Sequence, residues 1–410
     1  MTDQTQNSGV QAAAGCDGAL TGLKVIDLSR VLGGPFAGQM LGDHGAEVIK
    51  VEPPTGDETR LWGPPFRDET ASYFLGLNRN KRGIVLDLRQ EAGREVLLRL
   101  LGDADVLLEN FKTGTLEKWG LGYDELSKRF PRLIHCRVTG FGADGPLGGL
   151  PGYDAILQAM GGIMSVNGSE VSGPTRVGLP VVDMVTGLNA VVAITLALHH
   201  RAASGRGQFV EAALFDAAIS LLHPHAANHA LSGRLPRLTG NDHPNISPYS
   251  TFRTATRDIY LAIGNDRQFR KLCTEIGAWH LLEDDRFVSN GARVDNRAAL
   301  SEALEETLAT VDGGSLADRL IRAGVPAGPV LNVAEALAQP HVEHRGMRVA
   351  MDDYLGLGAP TKLGVTAATY RRKPPRFGEH TEEVLAEAGY DEEEIRSLRE
   401  TGVTPDKPLG

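Results

Sequence analysis

Five short apolar runs fall within the first 140 residues: LKVIDL (23–28), AEVIKVE (46–52), GIVLDL (83–88), DVLLEN (105–110) and LIHCRVTG (133–140). They are rich in Val, Ile and Leu, and Gly or Pro closes several of them, the pattern of buried strands. The stretches between them read as helices, PFAGQMLGDHGA after the first and QEAGREVLLRLLGDA after the third. Strand–helix alternation admits few folds. It calls for βαβ units around a parallel sheet, and so predicts the α/β class. Ligands of such sheets sit outside the carboxyl ends of the strands. Chemistry is therefore expected at the loops RVLGGP, DLRQ, ENFKTG and TGFGADG, each of which follows a strand.

The 410 residues exceed the roughly 250–300 at which a single core stops growing, so two domains are expected. A section interrupted by Pro224, Pro236, Pro244 and Pro248 separates the first elements from a second set. That set comprises DIYLAIGN as a strand, then DRQFRKLCTEIG, NRAALSEALEETLATV and SLADRLIRAG as helices. The reading divides the chain into a disordered tail at 1–20, a large domain at 21–223, a linker and smaller domain at 224–335, and a return to the large domain at 336–410. The tail lacks the basic start and apolar core of a signal peptide. No stretch approaches the ~18–20 apolar residues of a membrane span. Lys plus Arg number 42 and Asp plus Glu 52, a net charge of -10 that argues against a nucleic-acid partner. Cys16, Cys136 and Cys273 form no CxxC pair, which disfavours a zinc site or a disulfide framework and fits a reducing cytoplasm.

TGFGADG matches G-x-G-x-x-G through Gly140, Gly142 and Gly145. A dinucleotide fingerprint opens a helix, whereas Pro146 and Pro151 follow here, so neither nicotinamide nor flavin is expected. His225 and His229 are spaced to share a helix face, but no third metal ligand stands near them, and no metal is expected. Lys112 and Lys118, just beyond a strand, read either as a solvated helix end or as cations for a phosphate-rich ligand. GLPVVDMVTGL (178–188) holds one charge, Asp183, ahead of an apolar run from Leu188 to Leu198. An ionised carboxylate in such a place is hydrogen-bonded, solvated by a cleft, or used. Asp183 stands where an N-cap belongs, before a helix running to about His200. The positive end of that helix would lower its pKa and keep it ionised. An ionised carboxylate is also a nucleophile toward an activated acyl group, and the two roles are compatible.

Taken in order, DLSRVLGGPFAGQMLGDHGAEVIKVE, GDETRLWGPPF, NRNKRGIVLDL, ENFKTGTLEKWGLGYDEL, TGFG, PGYDAILQAMGG, VVDMVTGL, SGRGQFVEAALFDA, GVPAGPVLN and GEHTEEVLAEAGYDEEEI resemble a family III CoA-transferase. The resemblance runs from about Gly22 to Val403. It implies a large Rossmann-like parallel-sheet domain, a smaller α+β domain between its two parts, and a homodimer interlocked like links. It also implies that Asp183 is the nucleophile and carries CoA between half-reactions as a thioester formed through a mixed anhydride. Coenzyme A, as acyl-CoA, is then a co-substrate. Its contacts carry over to Leu32 and Gly33, to Leu86, Asp87, Leu88 and Arg89, to Asn110, Phe111, Lys112 and Lys118, and to Gly152, Tyr153 and Asp154.

Two departures narrow the chemistry. Leu32 stands where formyl-CoA enzymes have glutamine, which disfavours oxalate or formate. The glycine-run cover loop corresponds to TGNDHPNISPY, where Gly240 remains but Asn241, Asp242 and His243 replace glycines. The related α-methylacyl-CoA racemases pair the aspartate with a histidine at the position of Tyr153. A phenol, with an ordinary pKa of about 10, is a poor shuttle near neutral pH, which disfavours racemisation. RVLGGPF, TRLWGPPF and NDHPNISPY look most like succinyl-CoA-dependent enzymes acting on dicarboxylates. Arg30, Arg60 and His243 are candidate partners for a distal carboxylate, with Trp62 and Gly240 beside the substrate. For the three charged residues, surface or interface ion pairing is the competing reading.

Overall fold

The computed structural model describes residues 18–409. Most of the expected tail lies outside them. Its last three positions are folded, since the Leu20 N–H donates to the His44 carbonyl at 2.9 Å. The chain divides into two compact units. The first comprises the described residues through Gly162, Val177–His223, and the chain from Pro340 onward; the second comprises Ile163–Arg176 and Pro224–Gln339. The sequence reading left Ile163–Arg176 in the large domain. It groups with the second unit, where the Gly240 N–H donates to the Gly168 carbonyl at 2.7 Å.

Six strands build the first unit: β1 (Lys24–Asp27), β2 (Glu47–Glu52), β3 (Lys81–Val85), β4 (Val106–Glu109), β5 (Ile134–Thr139) and β6 (Phe209–Ala213). Every pairing is parallel, in the order β3-β2-β1-β4-β5-β6. The chain starts at the centre, winds outward through β3, then restarts beside β1 with β4. The order reverses between β1 and β4, so the loops leaving those two strands diverge and open a crevice. The four strands β1–β4 are buried on both faces, which is why they read as apolar runs rather than alternating ones.

Ile26, Ile49, Ile84 and Leu107 fill one face, beneath the helix Glu91–Leu100 and the C-terminal helices Thr381–Glu387 and Glu392–Glu400. Against the other face lies α1 (Gly33–Asp43), with α2 (Val181–Ser204) packed beside it. Val182, Thr186, Ala190, Ile194, Ala197 and Arg201 form the buried side of α2. The sequence reading expected no stretch fit to span a membrane. Yet α2 is long and apolar enough to do so by length and composition, a test that core helices of soluble proteins also pass. Asp183, Thr186 and Asn189 interrupt the apolar run without lowering the helix's mean hydropathy below that of a span.

The second unit has a three-stranded antiparallel sheet, with Tyr249–Phe252 and Ala327–Pro329 flanking Ile259–Ala262. Its core gathers Phe252, Ile259, Leu261, Phe269, Leu272, Leu300, Leu304, Leu316 and Leu320. The amphipathic helices Asp266–Ile276, Arg297–Leu308 and Gly313–Arg322 supply most of these.

Candidate active site

At the crevice, the loops after β1 and β4 are latched to each other. The Arg30 N–H donates to Asn110 Oδ1 at 2.9 Å, and Asn110 Nδ2 returns a bond to the Arg30 carbonyl at 2.8 Å. The chain enters α1 directly from this latch. Arg30, Leu32, Gly33, Asn110, Phe111, Lys112, Gly152, Tyr153 and Asp183 line a cleft of about 240 Å³ there, along with Glu58, Thr139 and Gly140. A second cleft of similar size holds Leu86, Asp87, Leu88 and Arg89 after β3. Arg30 and Phe111 border both.

Asp183 is not the N-cap of α2. That position is Pro180, and Asp183 is the third helical residue. The cap comes from another segment. Asp154 Oδ1 accepts from the N–H groups of Val182 at 2.8 Å and Asp183 at 3.3 Å, while Gln158 Nε2 holds Oδ2 at 2.7 Å. With its capping duty taken over, the Asp183 carboxyl faces the cleft. Two glycines bring α1 against it. A Cβ on Gly33 would stand 3.3 Å from the Asp183 carbonyl oxygen and 3.8 Å from Oδ1, and one on Gly187 would stand 2.7 Å from the Gly33 carbonyl oxygen. The sequence reading expected a lowered pKa at Asp183. Burial, followed by the nearby charge of Asp154, pushes it up to about 7. Desolvation and a like charge outweigh the helix end.

A mostly buried carboxyl poised near neutrality, in a cleft at the switch point, is suited to acyl transfer. The family model for CoA-transferase family III matches residues 20–381. The chain belongs to CoA-transferase family III. It is 42% identical over 380 residues to the succinate–glutarate CoA-transferase of Agrobacterium fabrum, covering 90% of this chain and 95% of that one. It is 36% identical over 397 residues to the human succinyl-CoA:glutarate CoA-transferase, covering 94% and 89%. Among solved structures it resembles a CAIB/BAIF family protein from Brucella suis, with TM-score 0.83 and 44% identity over 91% of this chain and all of that one.

In this CoA-transferase several candidate residues stand elsewhere than the sequence suggested. Asp154, read as a CoA contact, is buried under the end of α2 and lines neither cleft. Lys118 ends the short helix Thr115–Lys118, is exposed, and likewise lines neither. Arg60, read as a substrate ligand, is only 7% exposed. It donates to Glu52 through Nε at 2.8 Å and Nη2 at 2.6 Å, and its guanidinium lies 3.7 Å from the Phe74 ring centre. A carboxylate at the end of β2 thus already satisfies it. Arg30 pairs with Glu58 at 2.9 Å on the rim, and Arg89 pairs with Asp87 at 2.8 Å. Trp62 lies outside both clefts, its ring 5.2 Å from that of Tyr73 and edge-on to it.

Gly240 and His243 belong to the second unit. Gly240 adopts φ 61, and the His243 ring stands 4.9 Å from Tyr249. His225 and His229 share the helix His225–Ser232 as their spacing suggested, and His229 Nδ1 lies 3.0 Å from the Arg234 carbonyl oxygen. Among the described residues no three metal-ligating side chains cluster.

Glu58 and Tyr73 escaped the sequence reading. Burial, with the charges of Asp183, Asp154 and Asp57, pushes the Tyr73 phenol up to about 12, which keeps it neutral within reach of the Asp183 charge. Nothing local in TASYFLG marks that tyrosine, since a 110-residue separation hides its neighbour.

Proposed function

We propose that this CoA-transferase moves CoA from succinyl-CoA to a dicarboxylic acid, with Asp183 as the covalent carrier. The observation that carries the reading is the Asp183 carboxyl itself, set in the switch-point cleft and elevated to about 7, which makes it more nucleophilic than an ordinary aspartate once ionised. An Asp183 oxygen attacks the thioester carbonyl and the carbon–sulfur bond breaks, giving an aspartyl–succinyl anhydride and CoA thiolate. The thiolate attacks the aspartyl carbonyl, the anhydride carbon–oxygen bond breaks, and succinate leaves an aspartyl-CoA thioester. The acceptor carboxylate attacks that thioester, and the released thiolate then takes the acceptor's acyl carbon, returning Asp183. No proton is gained or lost, so no dedicated base is required.

Each addition places negative charge on a carbonyl oxygen. The first N–H groups of α1, which have no partner within the helix, are the donors proposed to receive it. The clefts around Asn110–Lys112 and Leu86–Arg89 would hold the CoA, and Arg30 the distal carboxylate, in exchange for Glu58. The glutarate named for two relatives supports a dicarboxylic acceptor. The working form is proposed to be an interlocked homodimer in the cytoplasm. The apolar outer side of α2, with Leu188, Val192 and Leu196 exposed, supports a second copy.

The test is covalent trapping. Wild-type enzyme incubated with succinyl-CoA and hydroxylamine should lose activity and carry a hydroxamate on Asp183, seen by peptide mass spectrometry. Asp183→Asn should fold, escape the label and lose at least about a thousandfold in kcat. Near-normal turnover by that variant, or a label only elsewhere, would falsify the assignment. In D2O, a 2-methylacyl-CoA should show no enzyme-dependent α-deuteration, because Tyr153 stands where a racemase needs its second base.

A further inference from the structure

Packed against the chain that leads from β1 into α1 is a buried array of two lysines and two aspartates that takes no part in the proposed chemistry. Lys50 on β2 and Lys81 on β3 are both 0% exposed. Lys50 Nζ donates to Asp57 Oδ2 at 2.9 Å and to the Ser29 carbonyl oxygen at 2.9 Å. Asp57 Oδ1 faces the Val31 N–H at 3.5 Å and accepts from the Thr59 N–H at 3.1 Å. Lys81 Nζ holds Asp27 at 2.9 Å and the Pro35 carbonyl at 2.8 Å. Asp27 in turn accepts from the Ser29 N–H at 3.0 Å and from its hydroxyl. Every residue from Ser29 to Pro35 that the array grips belongs to the segment that forms the cleft wall and starts α1.

That segment has an unusual backbone. Val31 lies at φ 70, in the left-handed region that a β-branched side chain disfavours. Such a conformation persists only where the surroundings over-determine it. Here the left-handed turn sends the chain from the Asn110 latch into Gly33, against Asp183. A buried ion pair by itself explains little stability, since well-packed apolar residues of the same volume often serve as well. Its grip on the backbone of a reactive loop is what apolar residues would not reproduce.

We propose that Lys50 and Asp57 are positioning residues for the transfer reaction: their buried ion pair clamps the Ser29–Val31 turn and so sets the start of α1 against the Asp183 carboxyl. Neither touches substrate. The inference rests on Asp183 being the nucleophile. A clamp of this kind acts on the attack step more than on CoA held at Asn110–Lys112 and Leu86–Arg89, so it separates rate from binding. Small misplacements of reacting groups are costly, on the order of a hundredfold for about 1 Å.

The experiment compares wild type with Lys50→Met/Asp57→Asn, which removes both charges while keeping volume and the acceptor for Thr59. Melting temperature, CoA affinity by calorimetry, kcat with succinyl-CoA and glutarate, and the rate of hydroxylamine labelling at saturating succinyl-CoA are measured. The expected result is a folded protein whose CoA Kd stays within about twofold while labelling rate and kcat both fall about tenfold or more. Should the double variant not fold, Asp57→Asn alone keeps the cap and should show the same split with about a threefold loss. Rates within twofold of wild type in whichever variant folds would overturn the proposal, as would a rate loss matched by an equal loss of CoA affinity. Absence of any Asp183 label in wild type would refute the nucleophile and the clamp with it, whereas a labelled wild type beside an unimpaired variant would refute the clamp alone.

Discussion

In the proposed mechanism Asp183 must be ionised to attack a thioester, and its surroundings resist that. Burial leads, the Asp154 charge adds to it, and the pKa rises to about 7. The sign follows directly. Below pH 7 the carboxyl is mostly protonated and inert, so kcat/KM for succinyl-CoA should climb with pH and level off above about 8. Because Asp154 raises this pKa, Asp154→Asn should move the acidic limb to lower pH, while its amide oxygen keeps the cap on α2. A pH profile of both proteins checks it. An unmoved limb would mean that Asp154 acts only as a cap.

At the scale of elements, the site depends on how closely α1 and α2 approach. Gly33 and Gly187 allow it, and a Cβ at Gly187 would stand 2.7 Å from the Gly33 carbonyl oxygen and 2.9 Å from the Phe36 ring. Backbone does not yield as a flexible side-chain tip does. Gly187→Ala should therefore push the helices apart, destabilise the fold by about 1–3 kcal/mol despite alanine's better helix propensity, and lower kcat about tenfold or more. Chemical denaturation and steady-state kinetics read both effects. A stabilised, fully active variant would show that the helices do not need this contact.

For the whole molecule, the outer side of α2 is the feature left unaccounted for by one chain. Leu188, Val192 and Leu196 recur at helical spacing and are 39%, 54% and 64% exposed. Contiguous apolar surface of this kind marks an interaction site. Val192→Asp/Leu196→Asp should give a monomer, or a protein that fails to accumulate, whereas wild type should sediment as a dimer. Sedimentation velocity decides. An unchanged dimer would place the interface elsewhere.

What the sequence determined by itself was whatever is written locally. Strand runs, glycine-closed loops and strand–helix alternation specify a parallel sheet because each signal depends on near neighbours, and the loops after β1, β3 and β4 do line the clefts. Asp183 stood out for the same reason, as one charge among apolar neighbours. The tertiary structure decided who partners whom. Asp154, 29 residues away, took the capping role that spacing had given to Asp183. Glu52 consumed Arg60, a residue that composition alone leaves free for a substrate. Glu58 reached the rim of the cleft to pair with Arg30 from 28 residues away. A carboxylate's or guanidinium's role is fixed by desolvation and by the charges that folding brings within a few ångströms, and those come from distant parts of the chain.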